Sequence, residues 1–399
     1  GPHPADPGAS FPAAPALEAP LEFANGGGGF ADHGREYAVT LAAGHPTPQP
    51  WINVIANPNF GFLASEAGAG CTWSLNSHEN QLTPWSNDPV TDPAGEAFYL
   101  RQDGDLWCPT AGPVHDAAAE YTVRHGQGYS RYSHLSRGIE LDLLQFVPPE
   151  DPIKISRLRL RNVSGRRQRL SVTAYVEWVL GSERGAAAPY IVREVDAATG
   201  ALFAASAWKG EFGGRIDFAD LAGRQECWTG DRREFLGRNG GPERPAALER
   251  DAPLSGAVGA GLDPCAALQT TVTLAPEGTA EVVFFLGQTE NRESARALLT
   301  RYRDADLDGV FGAVAAGWEE TLGGLQVSTP DRGLDLLLNR WLLYQTLACR
   351  LWGRAGFYQA SGAYGFRDQL QDVMALCAAR PRLAREHLLR VEGRQFEAG

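Results

Sequence analysis

Two stretches of the sequence concentrate polar and aromatic side chains that could bind a sugar. The first follows Cys71-Thr72-Trp73 and reads Asn76-Ser77-His78-Glu79-Asn80-Gln81-Leu82-Thr83-Pro84-Trp85-Ser86-Asn87-Asp88-Pro89. Amide, hydroxyl, carboxyl and imidazole groups hydrogen-bond to sugar hydroxyls, and tryptophan faces cover the C–H side of a sugar ring. The alternative is a long loop whose Asn, Ser and Asp side chains bond their own backbone. The residues alone favour the two interpretations equally.

The second stretch reads Phe357-Tyr358-Gln359-Ala360-Ser361-Gly362-Ala363-Tyr364-Gly365-Phe366-Arg367-Asp368-Gln369-Leu370-Gln371-Asp372. If a helix begins near Arg367, Asp368 and Asp372 are one turn apart on one face. Two carboxylates and a guanidinium at a helix start could bind several adjacent hydroxyls of one sugar ring. The alternative is a purely structural arrangement, because the helix dipole favours aspartates at this end.

Other familiar chemistries have no support in the sequence. His-Glu-x-x-His, Gly-x-Ser-x-Gly and dinucleotide-binding glycine patterns are absent, and no Gly-Lys-Ser/Thr follows Gly26–Gly29, which we expect to form a flexible turn. The six cysteines are far apart and include no Cys-x-x-Cys pair. We therefore expect reduced core thiols, no disulfide framework and no metal site.

Composition narrows the class of protein further. The chain has 399 residues, 43% of them hydrophobic, and its 36 basic and 48 acidic residues give a net charge of −12. This charge repels nucleic acid and anionic lipid head groups. No apolar run approaches the ~18 residues of a membrane span, and the first residues lack the pattern of a signal peptide. These features predict a soluble, cytoplasmic protein.

The elements that position the two stretches follow from hydrophobic periodicity. Up to about residue 288, short alternating runs predict a large antiparallel sandwich, with hairpins over 153–180 and 268–286. Helical spacing over 292–322 predicts linker helices. A regular helix should begin at Pro330-Asp331, and a further helical stretch should begin near Arg367 and break at Pro381. The apolar stripe of the regular helix is Leu334, Leu337, Leu338, Trp341, Leu342, Gln345 and Ala348. Alternating helices joined by loops indicate the first helices of an α/α barrel.

Several long motifs resemble one known family. They are residues 358–372, Asn53-Val54-Ile55-Ala56-Asn57-Pro58, residues 79–89, Tyr175-Val176-Glu177-Trp178-Val179-Leu180-Gly181 and residues 337–351. Together they closely resemble glycoside hydrolase family 94, formerly glycosyltransferase family 36, and in particular the phosphorylase-like region of cyclic β-1,2-glucan synthases. The resemblance runs from about Phe23 to the last residue.

The resemblance implies a β-supersandwich, a helical linker and an (α/α)6 catalytic barrel. On this basis we expect a disordered lead-in over 1–22, a carbohydrate-binding supersandwich over 23–288 and a linker over 289–328. Residues 329–399 would then form the start of a barrel that is incomplete in this chain, because three helices cannot close a ring. Part of the apolar stripe should therefore be uncovered.

The resemblance also implies inverting phosphorolysis of β-1,2-glucan to α-glucose 1-phosphate, with inorganic phosphate as co-substrate and neither metal nor cofactor. The family's Arg-Asp-x-x-x-Asp segment assigns sugar binding to Arg367 and Asp372, with Asp368, Tyr358 and Gln359 as neighbouring substrate-binding candidates. The family's sandwich loop adds secondary contacts to the sugar or the barrel, at Glu79, Asn80, Trp85, Asn87 and Asp88.

The family's general-acid aspartate and phosphate-binding residues are expected beyond Gly399, so the 399-residue chain should be catalytically silent. A homodimer through the sandwich is also implied, and the full-length protein could be attached to membrane domains upstream. Two alternatives stay open. One is a glucan hydrolase or transglycosylase on the same barrel, and the other is a glucan-binding sandwich without chemistry.

Overall fold

The computed structural model describes residues 20–42, 45–116, 118–363 and 365–393, so most of the predicted lead-in lies outside the described residues. The strands of these ranges, β1 to β20 in chain order, are Gly28–Ala31, Glu36–Leu41, Ile52–Asn57, Phe60–Ser65, Gly70–Ser74, Glu96–Gln102, Asp105–Trp107, Tyr121–Gly126, Tyr129–Ser136, Ile139–Phe146, Ile153–Asn162, Gln168–Glu177, Ile191–Val195, Leu202–Ser206, Ile216–Asp220, Cys227–Asp231, Pro264–Leu274, Thr279–Thr289, Ala355–Gly356 and Gln359–Ala360.

The strands form a β-sandwich, as predicted. A ten-stranded sheet has the order β1-β2-β8-β9-β10-β11-β18-β15-β14-β13, and a five-stranded sheet has the order β16-β17-β12-β6-β7. Strands β3 to β5 form a three-stranded sheet, and β19 pairs with β20. The main apolar core lies between strands of the two large sheets and includes Leu141, Leu158, Val172, Leu268 and Phe284.

Both predicted hairpins are wrong, because each turn carries the chain from one sheet to the other. Strand β11 pairs with β10 and β18, whereas β12 pairs with β17 and β6. Likewise β17 pairs with β12 and β16, and β18 with β11 and β15. Alternation indicates which face of a strand is buried and says nothing about which strand lies beside it.

The buried Asn162 side chain joins the two sheet-crossing turns. Its Nδ2 donates to the carbonyl oxygens of Arg166 (2.6 Å) and Ala275 (2.9 Å), and its backbone carbonyl accepts from the Glu277 amide (3.0 Å). One asparagine therefore satisfies polar backbone groups in both turns, which a hairpin turn would pair internally.

The helices α1 to α10 in chain order are Arg184–Ala187, Arg232–Leu236, Ala246–Glu249, Arg292–Arg303, Leu307–Leu322, Arg332–Leu336, Leu342–Gln345, Phe366–Val373, Leu376–Ala379 and Pro381–Glu392. One continuous helical segment, which we call the rod, extends over residues 332–353. It consists of α6, α7 and the π-helical segments Leu337–Trp341 and Thr346–Gly353. The predicted linker helices correspond to α4 and α5. The predicted helix starts near Asp331 and Arg367 are confirmed, and the break predicted at Pro381 lies between α9 and α10. No helix among the described residues has the length and apolarity needed to cross a bilayer.

The helices cover the second face of the ten-stranded sheet. Phe146, Ile153 and Phe285 point away from the main core and pack in a second cluster with Leu299 of α4 and Trp318 of α5. The central strands are therefore buried on both faces along part of their length, whereas the expected pattern had one polar face.

The rod over 332–353 packs on the sandwich with a different stripe from the predicted one. Tyr344 Oη donates to the backbone carbonyl oxygen of Val54 (2.8 Å), and Trp341 Nε1 donates to that of Gly34 (2.8 Å). The inward residues include Leu336, Leu343 and Leu347, whereas Leu334, Leu337, Leu338 and Leu342 are each more than 40% exposed. Only Trp341 and Ala348 of the predicted stripe are buried, because the rod is apolar on two sides and periodicity does not tell which side meets the sandwich.

Two smaller expectations need correction. The turn predicted at Gly26–Gly29 ends early, since Gly28 and Gly29 belong to β1; a Cβ on Gly28 would overlap the Ala38 carbonyl oxygen. All six cysteines are free, and Cys71, Cys108 and Cys265 are buried, but Cys377 is exposed and is no core thiol.

Candidate functional site

The fold brings the two polar and aromatic stretches together although they are more than 270 residues apart. We call residues 75–89 the sandwich loop and residues 353–363 the motif loop. The Asn76 side chain donates to the carbonyl oxygen of Gly362 (3.3 Å), and the Ser77 hydroxyl donates to that of Arg354 (3.2 Å). Trp85 Nε1 donates to the carbonyl oxygen of Gly356 (3.3 Å). The sandwich loop thus supports the motif loop at three points.

Two residues of the motif loop have backbone conformations that this contact requires. Gly362 has φ +56°, and a Cβ there would overlap the Asn76 amide group. Arg354 is left-handed at φ 48°, which ends the rod, and its guanidinium donates to the Leu75 carbonyl oxygen (3.0 Å). The close approach of the two loops therefore depends on local geometry at 354 and 362.

Four polar side chains of the sandwich loop, those of Ser77, Asn80, Gln81 and Thr83, are buried and bonded within the fold. Ser77, Asn80 and Thr83 are each 0% exposed. Asn80 Nδ2 donates to the Ser74 carbonyl oxygen (2.7 Å) and to Gln288 Oε1 (2.8 Å), while Thr83 donates to a Glu96 carboxylate oxygen (2.6 Å). Asn80, a predicted secondary contact, has no surface with which to meet a ligand in this structure.

The other secondary candidates lie at the rim of the sandwich loop. Glu79 pairs with His78 (2.6 Å), and Asn87 is exposed. Asp88 accepts hydrogen bonds from the Thr91 side chain and backbone and from the Val90 backbone, and these bonds lower the pKa of the Asp88 carboxyl. Asp88 therefore closes a turn, while Glu79 and Asn87 have room for other partners.

The motif helix, α8, begins at Phe366 and presents its first charged residues to solvent. The Arg367 side chain is 85% exposed and donates to Asp368 Oδ1 (3.2 Å), whose own side chain is 51% exposed. This pair lies at the helix N-terminus, where backbone amides favour a carboxylate. Each of the two side chains can replace its bond to the other with a hydrogen bond to a sugar hydroxyl, without any change in the core.

Asp372, one turn later, faces the rod instead. It accepts from Arg350 Nε (3.0 Å), and the buried Gln369 side chain donates to the Arg350 carbonyl oxygen (3.2 Å). Sequence reasoning missed Arg350. The signal was a lone cation in the apolar run Leu347–Trp352, within a segment already counted in the resemblance.

The remaining candidates lie at the hairpin β19–β20. Tyr358 is more than half exposed, and its hydroxyl donates to Gln49 Oε1 (2.8 Å). Gln359 is exposed in β20. Behind them His387 of α10 is buried, and burial first, then the Arg390 and Arg354 guanidiniums, lower the pKa of its imidazole. His387 is therefore neutral near pH 7.

The arrangement suits hydrogen bonding to hydroxyl groups. Within ranges 20–42, 45–116, 118–363 and 365–393, no three His, Cys, Asp or Glu side chains are grouped so that they could hold a metal ion. The motif loop and the first turns of α8 offer a guanidinium, two carboxylates, an amide and a phenol.

Two family models match the chain. The supersandwich domain of glycosyl hydrolase 94 matches residues 35–305, and the catalytic domain of the glycosyl hydrolase 94 superfamily matches residues 317–399. The chain is 43% identical over 381 residues to the cyclic β-(1,2)-glucan synthase NdvB of Rhizobium meliloti (strain 1021), covering 95% of this chain and 14% of that protein.

Phosphorylases are further relatives. The N,N'-diacetylchitobiose phosphorylase of Vibrio proteolyticus is 27% identical, over 93% of this chain and 47% of that enzyme. The solabiose phosphorylase of Paenibacillus borealis is 28% identical, over 94% of this chain and 48% of the enzyme. The chain thus spans about half the length of these phosphorylases. With a supersandwich match over most of its strands and a catalytic-domain match over its last helices, the chain belongs to glycoside hydrolase family 94.

Proposed function

We propose that the protein containing this chain catalyses inverting phosphorolysis of β-1,2-glucan and releases α-glucose 1-phosphate. The observation that carries the proposal is the supported motif loop, in which Tyr358 is exposed and after which Arg367 and Asp368 are exposed on α8. The β-1,2 linkage rests on the similarity to a cyclic β-(1,2)-glucan synthase, and phosphorolysis rests on the phosphorylase relatives.

The described residues would bind and orient the sugar at the subsite that donates its anomeric carbon. Arg367 supplies several N–H donors in a fixed plane, while Asp368 and Asp372 supply acceptors for neighbouring hydroxyls. Asp368 already accepts from the Arg367 guanidinium and Asp372 from that of Arg350, and hydrogen bonds that involve a charged group are stronger than neutral ones. Sugar hydroxyls would replace part of these pairs.

Inversion follows from attack by phosphate on the face of the anomeric carbon opposite the leaving oxygen. Phosphate is already anionic, so this step needs no second carboxylate as a base, and one acid must protonate the leaving oxygen. We assign that acid to no residue of this chain. Because the phosphorylase relatives are about twice as long, we expect the 399 residues alone to be catalytically silent.

The proposal also includes the co-substrate, the oligomeric state and the location of the protein. Inorganic phosphate is the co-substrate, and neither metal nor cofactor takes part. We also propose that the sandwich forms a homodimer and that this region is cytoplasmic, with the full-length protein attached to upstream membrane domains.

The test uses the full-length protein with linear β-1,2-glucooligosaccharides, with and without orthophosphate. We expect α-glucose 1-phosphate to form only with phosphate, and chelator treatment to leave the rate unchanged. Release of glucose or transfer products without phosphate would replace the proposal with a hydrolase or transglycosylase. Glucan binding without any turnover would leave a non-catalytic binding sandwich.

A further inference from the structure

A second candidate binding surface lies on the sandwich, outside the motif loop. It is a cleft of about 330 Å³ whose walls come from three segments, namely Glu79 of the sandwich loop, residues 181–187 and residues 208–212. Trp208 stands at its edge with 72% of its surface exposed. A contiguous exposed apolar surface with a polar rim can mark a contact surface, so the neighbours of Trp208 decide what this surface is.

The exposed tryptophan belongs to a stacked aromatic pair. The rings of Tyr190 and Trp208 have centroids 5.4 Å apart and an interplanar angle of 22°, and Tyr190 is also exposed. Stacking restricts the orientation of both rings while leaving a broad apolar face toward solvent. Flat faces of this kind match the C–H side of glucose rings.

Buried hydrogen bonds fix the two sides of the cleft relative to each other. Lys209, next to Trp208, pairs with Asp217 (3.4 Å), and Asp217 accepts from Gln288 Nε2 (2.8 Å). Gln288 accepts in turn from Asn80 (2.8 Å), the residue after Glu79. The cleft therefore has a fixed width, because a continuous buried network connects the neighbours of Trp208 and Glu79.

The polar lining favours an uncharged ligand with many hydroxyl groups. Glu79, Glu183 and Glu211 line the cleft. Their carboxylates accept hydrogen bonds from hydroxyl groups and repel phosphates and other anions. In the part of the chain that the structure describes, these three carboxylates are not grouped closely enough to hold a metal ion.

We propose that this cleft is an accessory subsite that binds a distant part of a β-glucan chain, with Trp208 and Tyr190 as its aromatic platform. The inference rests on the proposed function for the class of substrate. The sandwich loop connects the two sites, since Trp85 and Asn76 contact the motif loop while Glu79 lines the cleft. A glucan bound at both places would follow this loop.

The experiment measures the affinity of the full-length protein for long and short linear β-1,2-glucooligosaccharides by isothermal titration calorimetry without phosphate. We compare wild type with Trp208→Ala, Trp208→Phe and Leu135→Ala, which shortens an exposed leucine on β9. Trp208→Ala should bind the long chain about tenfold more weakly, with Trp208→Phe in between. The short chain should lose less, and Leu135→Ala should match wild type.

Other results would overturn the inference or the proposed linkage. Equal affinity of wild type and Trp208→Ala for long chains would show that the aromatic platform does not bind glucan. The proposed phosphorolysis would be unaffected. A change in sedimentation with no change in glucan affinity would make the aromatic pair a protein contact. Trp208-dependent binding of another β-glucan, with no binding of β-1,2 chains, would support the platform and contradict the proposed linkage.

Discussion

The sandwich loop and the motif region, which is the motif loop together with α8, have similar residue types. Their polar side chains differ in how much surface they expose. In the sandwich loop, Ser77, Asn80 and Thr83 are fully buried. In the motif region, Arg367 and Tyr358 extend into solvent beside the supported loop. The buried polar side chains of the sandwich loop hold the fold, whereas the exposed ones of the motif region, like Glu79 and Asn87 at the rim of the sandwich loop, stay available for a ligand.

The difference follows from how each backbone satisfies its hydrogen bonds. The sandwich loop contains only isolated bridges, such as those of Gln81, so side chains such as Asn80 must pair with buried polar groups around it. The α8 helix pairs its own backbone groups beyond the first turn and has no side-chain cap at its start, so the side chains of Arg367 and Asp368 stay at the surface. Polar composition therefore indicates function only where regular structure already satisfies the backbone.

The largest expected effect is on turnover. In the full-length protein, Arg367→Ala should lower kcat/KM for phosphorolysis about 100-fold, because charged hydrogen bonds to a desolvated sugar are lost. The melting temperature should stay near the wild-type value, since this side chain is exposed. Arg382→Ala on α10 removes another exposed guanidinium and should leave the rate unchanged. Equal rates for all three proteins would place the sugar elsewhere.

A matched pair of asparagines tests the structural half of the comparison. Asn80→Ala should lower the free energy of unfolding by about 1–3 kcal/mol, because Gln288 and the Ser74 carbonyl lose a buried partner. Asn87→Ala, at an exposed position of the same loop, should change it by less than about 0.5 kcal/mol. Denaturant unfolding measures both. Similar losses would mean that burial does not separate the two positions.

Gly362→Ala should cost about 1–2 kcal/mol, because alanine at φ +56° is strained and its Cβ would displace Asn76. The sandwich core is unaffected, so hydrogen exchange should speed up in residues 353–363 and stay slow in β11 and β18. Unchanged exchange in the motif loop would show that its contact with Asn76 is dispensable.

The smallest effect is expected for Trp85→Phe, which keeps an aromatic ring and removes the bond to the Gly356 carbonyl. A single neutral hydrogen bond contributes about 0.5–1.5 kcal/mol. Protease sensitivity of the motif loop should rise slightly, without the larger changes of Gly362→Ala. Greater sensitivity than in that variant would reverse the order of importance of the two contacts.

Local chemistry in the sequence predicted much of the fold. Asp331 caps its helix through the Gly333 and Leu334 amides, and the break predicted at Pro381 separates α9 from α10, so both features were readable. Strand partners were not, because nothing local in β11 distinguishes β12 from β18. The buried stripe of the rod was missed for a similar reason, since Leu334 and Leu336 are equally apolar.

The candidate site was predictable in residue types and not in roles. Arg367 and Asp368 follow from the motif and its helix start. The burial of Asn80 depends on Gln288, more than 200 residues away, and the pairing of Asp372 depends on Arg350 in another helix. Trp208 and Tyr190 gave no signal because their stacking joins two separate loops.

The central claim is that the motif helix binds the sugar while the interior of the sandwich loop only supports it. The most direct measurement is a crystal structure of the full-length protein soaked with a β-1,2-glucooligosaccharide in the absence of phosphate. We predict a glucose ring whose hydroxyl oxygens lie within about 3 Å of Arg367 and of Asp368 or Asp372, with Asn80 still bonded to Gln288. A sugar bound elsewhere, with the Arg367–Asp368 and Arg350–Asp372 pairs intact and without sugar contact, would contradict the account.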